Sequence, residues 1–159
     1  EGLRGVKLHP DFQLFQIDCP RMDAIYEVIT ELELPVIVHA GDKRYDFSGP
    51  KRIAHVLEKH PKIELIAAHF GGYSEWENSM EHLVGKKVWF DTSSSLFSLP
   101  VETANKMIRD HGYEKFLFGS DFPMWDHEGE LERFNKLDLT AEMRDAILYK
   151  NALRLLKED

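Results

Sequence analysis

Residues 35–41 read Pro-Val-Ile-Val-His-Ala-Gly, a short apolar run that ends in a histidine. Four other segments have the same form, with a polar residue after an apolar run. They are Gly-Val-Lys7-Leu-His9, Leu-Ile-Ala-Ala-His69, Val-Trp-Phe-Asp91 and Phe-Leu-Phe-Gly-Ser-Asp121. Short apolar runs rich in β-branched and aromatic residues predict buried strands. Reactive side chains at the ends of successive strands indicate an active site at one edge of a sheet.

Amphipathic stretches with helical spacing separate the five predicted strands. Their apolar positions are Ile25, Val28, Ile29 and Leu32; Ile53, Val56 and Leu57; Trp76, Met80, Leu83 and Val84; Val101, Ala104 and Ile108. The strands begin near residues 5, 35, 65, 88 and 116, at intervals of 23 to 30 residues. This is the length of one strand-helix unit, so we predict a parallel sheet. With no Gly- or Ser-rich linker, residues 1–159 are predicted to form one domain that ends in a helical region from about Thr140 to Leu156.

Two architectures are built on parallel sheets, and the motifs favour one of them. No G-x-G-x-x-G follows the first strand, as a doubly wound nucleotide-binding sheet would have. A complete eight-unit barrel needs about 250 residues, so that five units need about 156, close to the length of this chain. The predicted fold is therefore α/β of the TIM (β/α)8 barrel type, with the last five units and a C-terminal helix.

Composition excludes several classes of partner. The chain has 159 residues, 43% of them hydrophobic, and a formal net charge of -8. This acidity argues against nucleic acid and against anionic membranes as partners. No apolar run approaches the roughly 20 residues that cross a bilayer. A single cysteine, Cys19, cannot form an internal disulfide, which favours a cytoplasmic location.

Three of the strand-end residues form a set that suits a metal ion. Neutral His39 and His69 with ionised Asp121 would bind a divalent metal, zinc first, or alternatively manganese, iron or cobalt. Three ligands leave room for water, whose pKa the metal lowers toward about 7. Asp121 could then take or hold a proton. Each residue alone also has a structural interpretation, as a loop hydrogen bond or a helix cap, but three together favour function.

Six motifs in order resemble the amidohydrolase-related branch of the amidohydrolase superfamily. They are Gly5-Val-Lys-Leu-His-Pro10 with Gln13, Leu34-Pro-Val-Ile-Val-His-Ala-Gly41, Ala68-His-Phe-Gly-Gly72, Asp91-Thr-Ser-Ser94, Phe118-Gly-Ser-Asp-Phe-Pro123 and Ile147-Leu-Tyr-Lys-Asn-Ala-Leu-Arg-Leu-Leu156. The resemblance covers nearly the whole chain and implies a metal-dependent barrel. It implies no single reaction, because the family includes hydrolases, decarboxylases and hydratases.

The resemblance also implies roles for individual residues. His39 and Asp121 match the family's metal ligands on strands five and eight. His69 matches a strand-six histidine that binds metal in some members and orients or deprotonates water in others, so the resemblance implies His69 and Asp121 as the catalytic residues. Lys7 stands where some relatives carry a metal-bridging lysine, and we interpret it as an anion contact or as a strand-end ion pair. The predicted substrate contacts are Lys7, His9, Gln13 and Ser93.

One family feature does not occur in this sequence. The His-x-His of the family's first strand, which supplies two further metal ligands, is not found among the eight histidines. Three explanations stay open: a fragment of a longer enzyme, a partner chain that supplies the rest, or a protein that has lost catalysis. Five strands would also leave two unpaired edges and exposed apolar surface, so we expect a homo-oligomer.

Three functions follow as alternatives. The first is a hydrolase in which activated water attacks an ester, lactone or amide carbon. The second is a lyase that decarboxylates or hydrates an unsaturated or aromatic carboxylic acid. The third is a noncatalytic fragment or pseudoenzyme. For either enzyme the expected partner is a small-molecule substrate, a carboxylic acid derivative.

Overall fold

Five strands form one parallel sheet in the computed structural model, which describes residues 2–158. They lie side by side in chain order, from β1 at one edge to β5 at the other. Their bounds are β1 Val6–Leu8, β2 Val36–Val38, β3 Leu65–Ala67, β4 Trp89–Asp91 and β5 Phe116–Leu117. The predicted parallel sheet and the predicted strand positions are confirmed.

The register of the sheet brings the strand ends to one level. Val38 pairs with Leu8 of β1 and with Ala67 of β3, and Ala67 pairs with Phe90 of β4. The residues that follow these strands therefore emerge at the same edge of the sheet. His39 comes directly after β2, and His69 comes two residues after the end of β3, so the sheet itself positions both.

Eight α-helices follow or flank the strands within residues 2–158. Their bounds are α1 Pro10–Gln13, α2 Asp23–Glu31, α3 Pro50–Lys59, α4 Trp76–His82, α5 Val101–His111, α6 His127–Phe134, α7 Ala141–Asp145 and α8 Asn151–Leu156. A π-helical turn, Ala146–Lys150, joins α7 to α8. This continuous helix confirms the predicted C-terminal helical region. None of the helices in residues 2–158 has the length and apolar character needed to cross a membrane.

The buried face of α2 differs from the predicted one. Of the predicted apolar stripe, Ile29 is buried, whereas Ile25, Val28 and Leu32 are exposed. Tyr26 faces the core instead, because its hydroxyl donates a hydrogen bond to the carbonyl of Ile17 over 2.7 Å. A buried phenol needs such a partner, and this tertiary contact fixes the helix rotation.

Apolar side chains are exposed beside both edge strands. They are Leu3, Phe12 and Leu14 near β1, and Phe122 and Met124 after β5, each 68–78% exposed. Within residues 2–158, β1 and β5 each pair with one strand only. Exposed apolar side chains and unpaired strand edges are the two features from which self-association is expected. The homo-oligomer itself stays a prediction.

Asn151 fastens the C-terminal helix to β5, and its loss is expected to destabilise the fold. Its side-chain amide donates hydrogen bonds to the carbonyls of Tyr113 and Phe116, both over 2.8 Å. Asn151→Ala removes the side-chain donor of the buried Phe116 carbonyl, whereas the Tyr113 carbonyl keeps the backbone N–H of Phe116, so we expect the free energy of unfolding to fall by about 1–3 kcal/mol. Urea denaturation measures this. Asn78→Ala, which removes an exposed hydrogen bond to Glu75, is the control and should change stability by less than about 0.5 kcal/mol.

Candidate active site

Two histidines face each other at the carboxyl edge of the sheet. Nδ1 of His39 lies 3.0 Å from Nε2 of His69, and the two rings meet edge to face. Two nitrogen ligands of one tetrahedral zinc ion, at about 2.0–2.1 Å from the metal, are about 3.3–3.4 Å apart. The pair therefore fits one divalent metal with a shift of a few tenths of an ångström.

The orientation of His69 is fixed from below by Asp91 and Ser93. Nδ1 of His69 lies 3.0 Å from the carbonyl oxygen of Ser93 and 3.0 Å from its hydroxyl. A carbonyl only accepts, so Nδ1 carries the proton and Nε2 keeps its lone pair. The carboxylate of Asp91 accepts hydrogen bonds from the backbone N–H of His69 and from the Ser93 hydroxyl. His69 thus presents a free lone pair to His39.

The backbone at His69 has an unusual conformation that this network holds in place. His69 and Phe70 have φ values of 62° and 55°, in the left-handed region, although neither is glycine. Asp121 has a φ of 61°. Such residues persist only where their surroundings over-determine the conformation, and they concentrate at functional sites.

His39 is neutral at physiological pH. Burial first, and then the neighbouring charges of His69, His9 and Lys7, together lower its pKa to about 3. Its imidazole therefore keeps a lone pair for a cation. Its other nitrogen, Nε2, lies 3.3 Å from a carboxylate oxygen of Asp11.

Asp121 lies at the same end of the sheet but apart from the histidine pair. The hydroxyl of Ser94 donates to its Oδ2 over 2.8 Å, and the residue is exposed. No three His, Cys, Asp or Glu side chains within residues 2–158 are placed to hold one metal ion together. The structure thus brings together two members of the predicted metal set, and Asp121 as the third ligand stays a prediction.

Lys7 extends from β1 toward the acidic groups of the site. Burial lowers the pKa of its ammonium group, while the charges of Asp91 and Asp121 raise it. It has no ion pair within 4.0 Å among the described residues. The structure therefore does not place Lys7 in a closed salt bridge, and its ammonium group remains available to an anion.

The other three predicted substrate contacts lie in different places. The ring of His9 stacks between Phe12 and His39, with centroid distances of 3.8 and 4.2 Å. The side-chain oxygen of Gln13 accepts a hydrogen bond from the His9 backbone, so it holds the loop after β1. Ser93 is 4% exposed, and its hydroxyl is occupied by Asp91 and His69.

Sequence reasoning missed two residues of this site, Asp11 and Tyr73. Asp11, in the first turn of α1, is 4% exposed, whereas an Asp at a helix start is usually a solvated cap. The ring of Tyr73 lies 6.2 Å from that of His39 and 5.7 Å from that of His69. The one sequence feature that could have indicated Asp11 is an acidic residue directly after Lys-Leu-His-Pro. No sequence feature indicated Tyr73.

Comparison with known proteins gives a consistent fold and several chemistries. The family model described as Amidohydrolase matches residues 1–157. The structure of 5-carboxyvanillate decarboxylase from Sphingomonas paucimobilis is similar with a TM-score of 0.76 and 13% identity, over 99% of this chain and 59% of that one. A Pseudomonas putida protein assigned as 2-pyrone-4,6-dicarboxylic acid hydrolase gives a TM-score of 0.70 and 21% identity, over 98% and 64%.

A third solved structure contains a metal. The dihydroxybenzoic acid decarboxylase of a Polaromonas species, with bound manganese and the inhibitor 2-nitroresorcinol, gives a TM-score of 0.65 and 15% identity, over 89% of this chain and 55% of that one. This chain thus spans between half and two thirds of the solved structures that it matches. Their shared architecture confirms the predicted fold, a parallel α/β sheet that corresponds to part of a TIM barrel.

Proposed function

We propose a hydrolytic function for this chain, which belongs to the amidohydrolase family: the family model matches residues 1–157. The chain carries half of a metal-dependent active site, and the reaction is hydrolysis of an ester, lactone or amide of a small carboxylic acid. The observation that supports this most is the 3.0 Å pair of His39 Nδ1 and His69 Nε2.

The histidine pair would hold a divalent metal, with zinc as the first choice and manganese, iron or cobalt as alternatives. Bound there, the metal would supply Lewis acidity, which acidifies water and polarises a carbonyl. Asp121, exposed at the same end of the sheet, would complete the ligand set or hold the proton that water loses. His69 is proposed as a metal ligand through Nε2; if other groups hold the metal, the same lone pair would instead accept a proton from water.

Lys7 is proposed to bind the anionic group of the substrate. Lys7 is exposed and has the carboxylates of Asp91 and Asp121 as neighbouring charges, so a carboxylate can reach its ammonium group from solvent. His9 and Gln13 would shape the loop beside it. For Ser93 we propose a supporting role below His69 in place of substrate contact, because both partners of its hydroxyl belong to the protein.

The wider organisation is also a proposal. Residues 1–159 are one domain that corresponds to the last five units of a barrel, and further strand-helix units or a second copy of the chain would cover the two edges. The single cysteine favours a cytoplasmic location. These three expectations come from the sequence and are predictions.

Decarboxylation is a second candidate, supported by the chemistry of two structural relatives. Both 5-carboxyvanillate and dihydroxybenzoic acid are aromatic carboxylic acids, and the decarboxylases named for them share this fold. In this alternative Lys7 and the metal site would orient the substrate's oxygens, and His69 or Asp121 would deliver the proton that replaces carbon dioxide. A hydratase would use the same groups to add water to a double bond.

Product analysis in ¹⁸O-labelled water distinguishes the candidates. The chain is loaded with zinc or manganese and incubated with a panel of lactones, esters, amides and aromatic carboxylic acids. Hydrolysis places one ¹⁸O in a new carboxylate, hydration places it in an alcohol, and decarboxylation releases carbon dioxide without incorporation. We expect the first result, with loss of turnover in His39→Ala. Carbon dioxide release would replace the hydrolase by the lyase, and metal-loaded chain without any product would contradict both.

A further inference from the structure

A buried carboxylate lies behind the metal-facing histidine. Oδ2 of Asp11 is 3.3 Å from Nε2 of His39, and the aspartate side chain is 2% exposed. We propose that Asp11 is a positioning residue: it accepts the Nε2–H of His39 and so leaves Nδ1 free to face His69. The inference rests on the proposed function, in which these two histidines hold the metal.

Each of these two residues has a buried polar atom without a hydrogen-bond partner, which supports a proton between them. His39 Nε2 and Asp11 Oδ1 are both buried, and neither has an aligned hydrogen-bond partner within the described residues. A carboxylate can only accept, so a proton between the two residues must be carried by the imidazole. With His39 protonated at Nε2, a small rotation satisfies both residues through one charge-assisted hydrogen bond.

The position of the carboxylate is independently fixed. Asp11 lies in the first turn of α1, which begins at Pro10, and the hydroxyl of Ser48 donates to its Oδ2 over 3.2 Å. The His39 ring is held flat against His9, with 8° between the ring planes, and His9 in turn lies flat on Phe12. Stacking on this side restrains a flip of the His39 ring, so its two nitrogens keep their separate neighbours.

The proton on Nε2 has a consequence for the metal half-site. A neutral imidazole carries one N–H, so Nδ1 of His39 then has a lone pair. Nε2 of His69 also has a lone pair, because its Nδ1–H is used by Ser93. Two lone pairs 3.0 Å apart repel each other and together attract a cation. In the competing arrangement His39 donates from Nδ1 to His69, which closes the site and leaves a lone pair against the carboxylate.

Histidine tautomers decide between the two arrangements. Long-range ¹H–¹⁵N spectra of the metal-free chain, labelled at histidine, report which ring nitrogen of His39 is protonated near neutral pH. We expect Nε2–H in the wild type and a shift to Nδ1–H in Asp11→Leu, which removes the acceptor at similar volume. Ser48→Ala keeps the carboxylate and should keep Nε2–H. A purely structural Asp11 would not move the tautomer.

Two results would overturn the inference. Nδ1–H in the wild-type chain is decisive without any variant, and so is an unchanged Nε2–H in folded Asp11→Leu. Zinc titration of the same samples separates this inference from the proposed function. If the tautomer shifts as expected but no zinc binds, Asp11 positions His39 while the metal site is wrong. If zinc binds wild type and Asp11→Leu equally well, and His39 has the same tautomer in both, the metal site stands and the role of Asp11 is wrong. We expect Asp11→Leu to bind zinc about 10–100-fold more weakly than the wild type.

Discussion

His39→Ala is expected to lower the affinity of the chain for zinc and for manganese by more than about 100-fold. Loss of a residue that only supports a ligand already costs about 10–100-fold, and His39 is proposed as a ligand itself. Isothermal titration calorimetry of the metal-free chain with each metal measures the change. The reason lies in the 3.0 Å pair, since His69 alone offers a single nitrogen.

Two further variants complete this experiment. His82→Ala removes a histidine whose only ion-pair partner within residues 2–158 is the neighbouring Glu81, at 3.9 Å, and it should bind metal like the wild type. Asp121→Ala tests the third ligand, and a loss similar to that of His39→Ala would place Asp121 on the metal. Equal affinities of His39→Ala and wild type, with circular dichroism showing an intact fold, would contradict the metal site.

The sheet and the histidine pair were predictable because they depend on local pattern and on register. Apolar runs such as Val36–Val38 specify strands, and strand-helix units of similar length place their carboxyl ends at one edge. His39 and His69 follow their strands closely, so the sheet carries them to the same place. No loop conformation had to be known to bring these two side chains together.

Other parts of the site depend on contacts that no local pattern encodes. Asp121 lies four residues beyond β5, past Phe118 to Ser120, so the pleat of the strand no longer sets its direction. Ser93 contacts His69 because the loop after β4 turns it under that ring. Asp11 is buried through packing against His39 and Ser48, which are distant in sequence. The face of α2 likewise depends on one tertiary hydrogen bond, that of Tyr26.

The loops that carry the two histidines also touch each other, at Gly41. Its φ of +80° lies in the left-handed region, and it forms an isolated parallel bridge with Tyr73. A Cβ added at Gly41 would lie 2.7 Å from the backbone carbon of Gly72 and 2.7 Å from the backbone nitrogen of Tyr73. Both obstacles are main-chain atoms, so no side-chain rotation can make room. Glycine here allows the loop after His39 to close on the loop after His69.

Gly41→Ala is therefore expected to reduce the free energy of unfolding by about 2–5 kcal/mol, the sum of left-handed strain and overpacking. Gly85→Ala is a matched control: its φ is +79°, but nothing lies within 4 Å of its added Cβ. It carries the strain alone, about 1–2 kcal/mol. Urea denaturation of both variants measures the difference, which is the cost of separating the two loops. Gly41→Ala should also weaken zinc binding while Gly85→Ala does not, because only the first moves His39 relative to His69. Equal destabilisation and equal zinc affinity in the two variants would show that loop contact at Gly41 does not set the histidine pair.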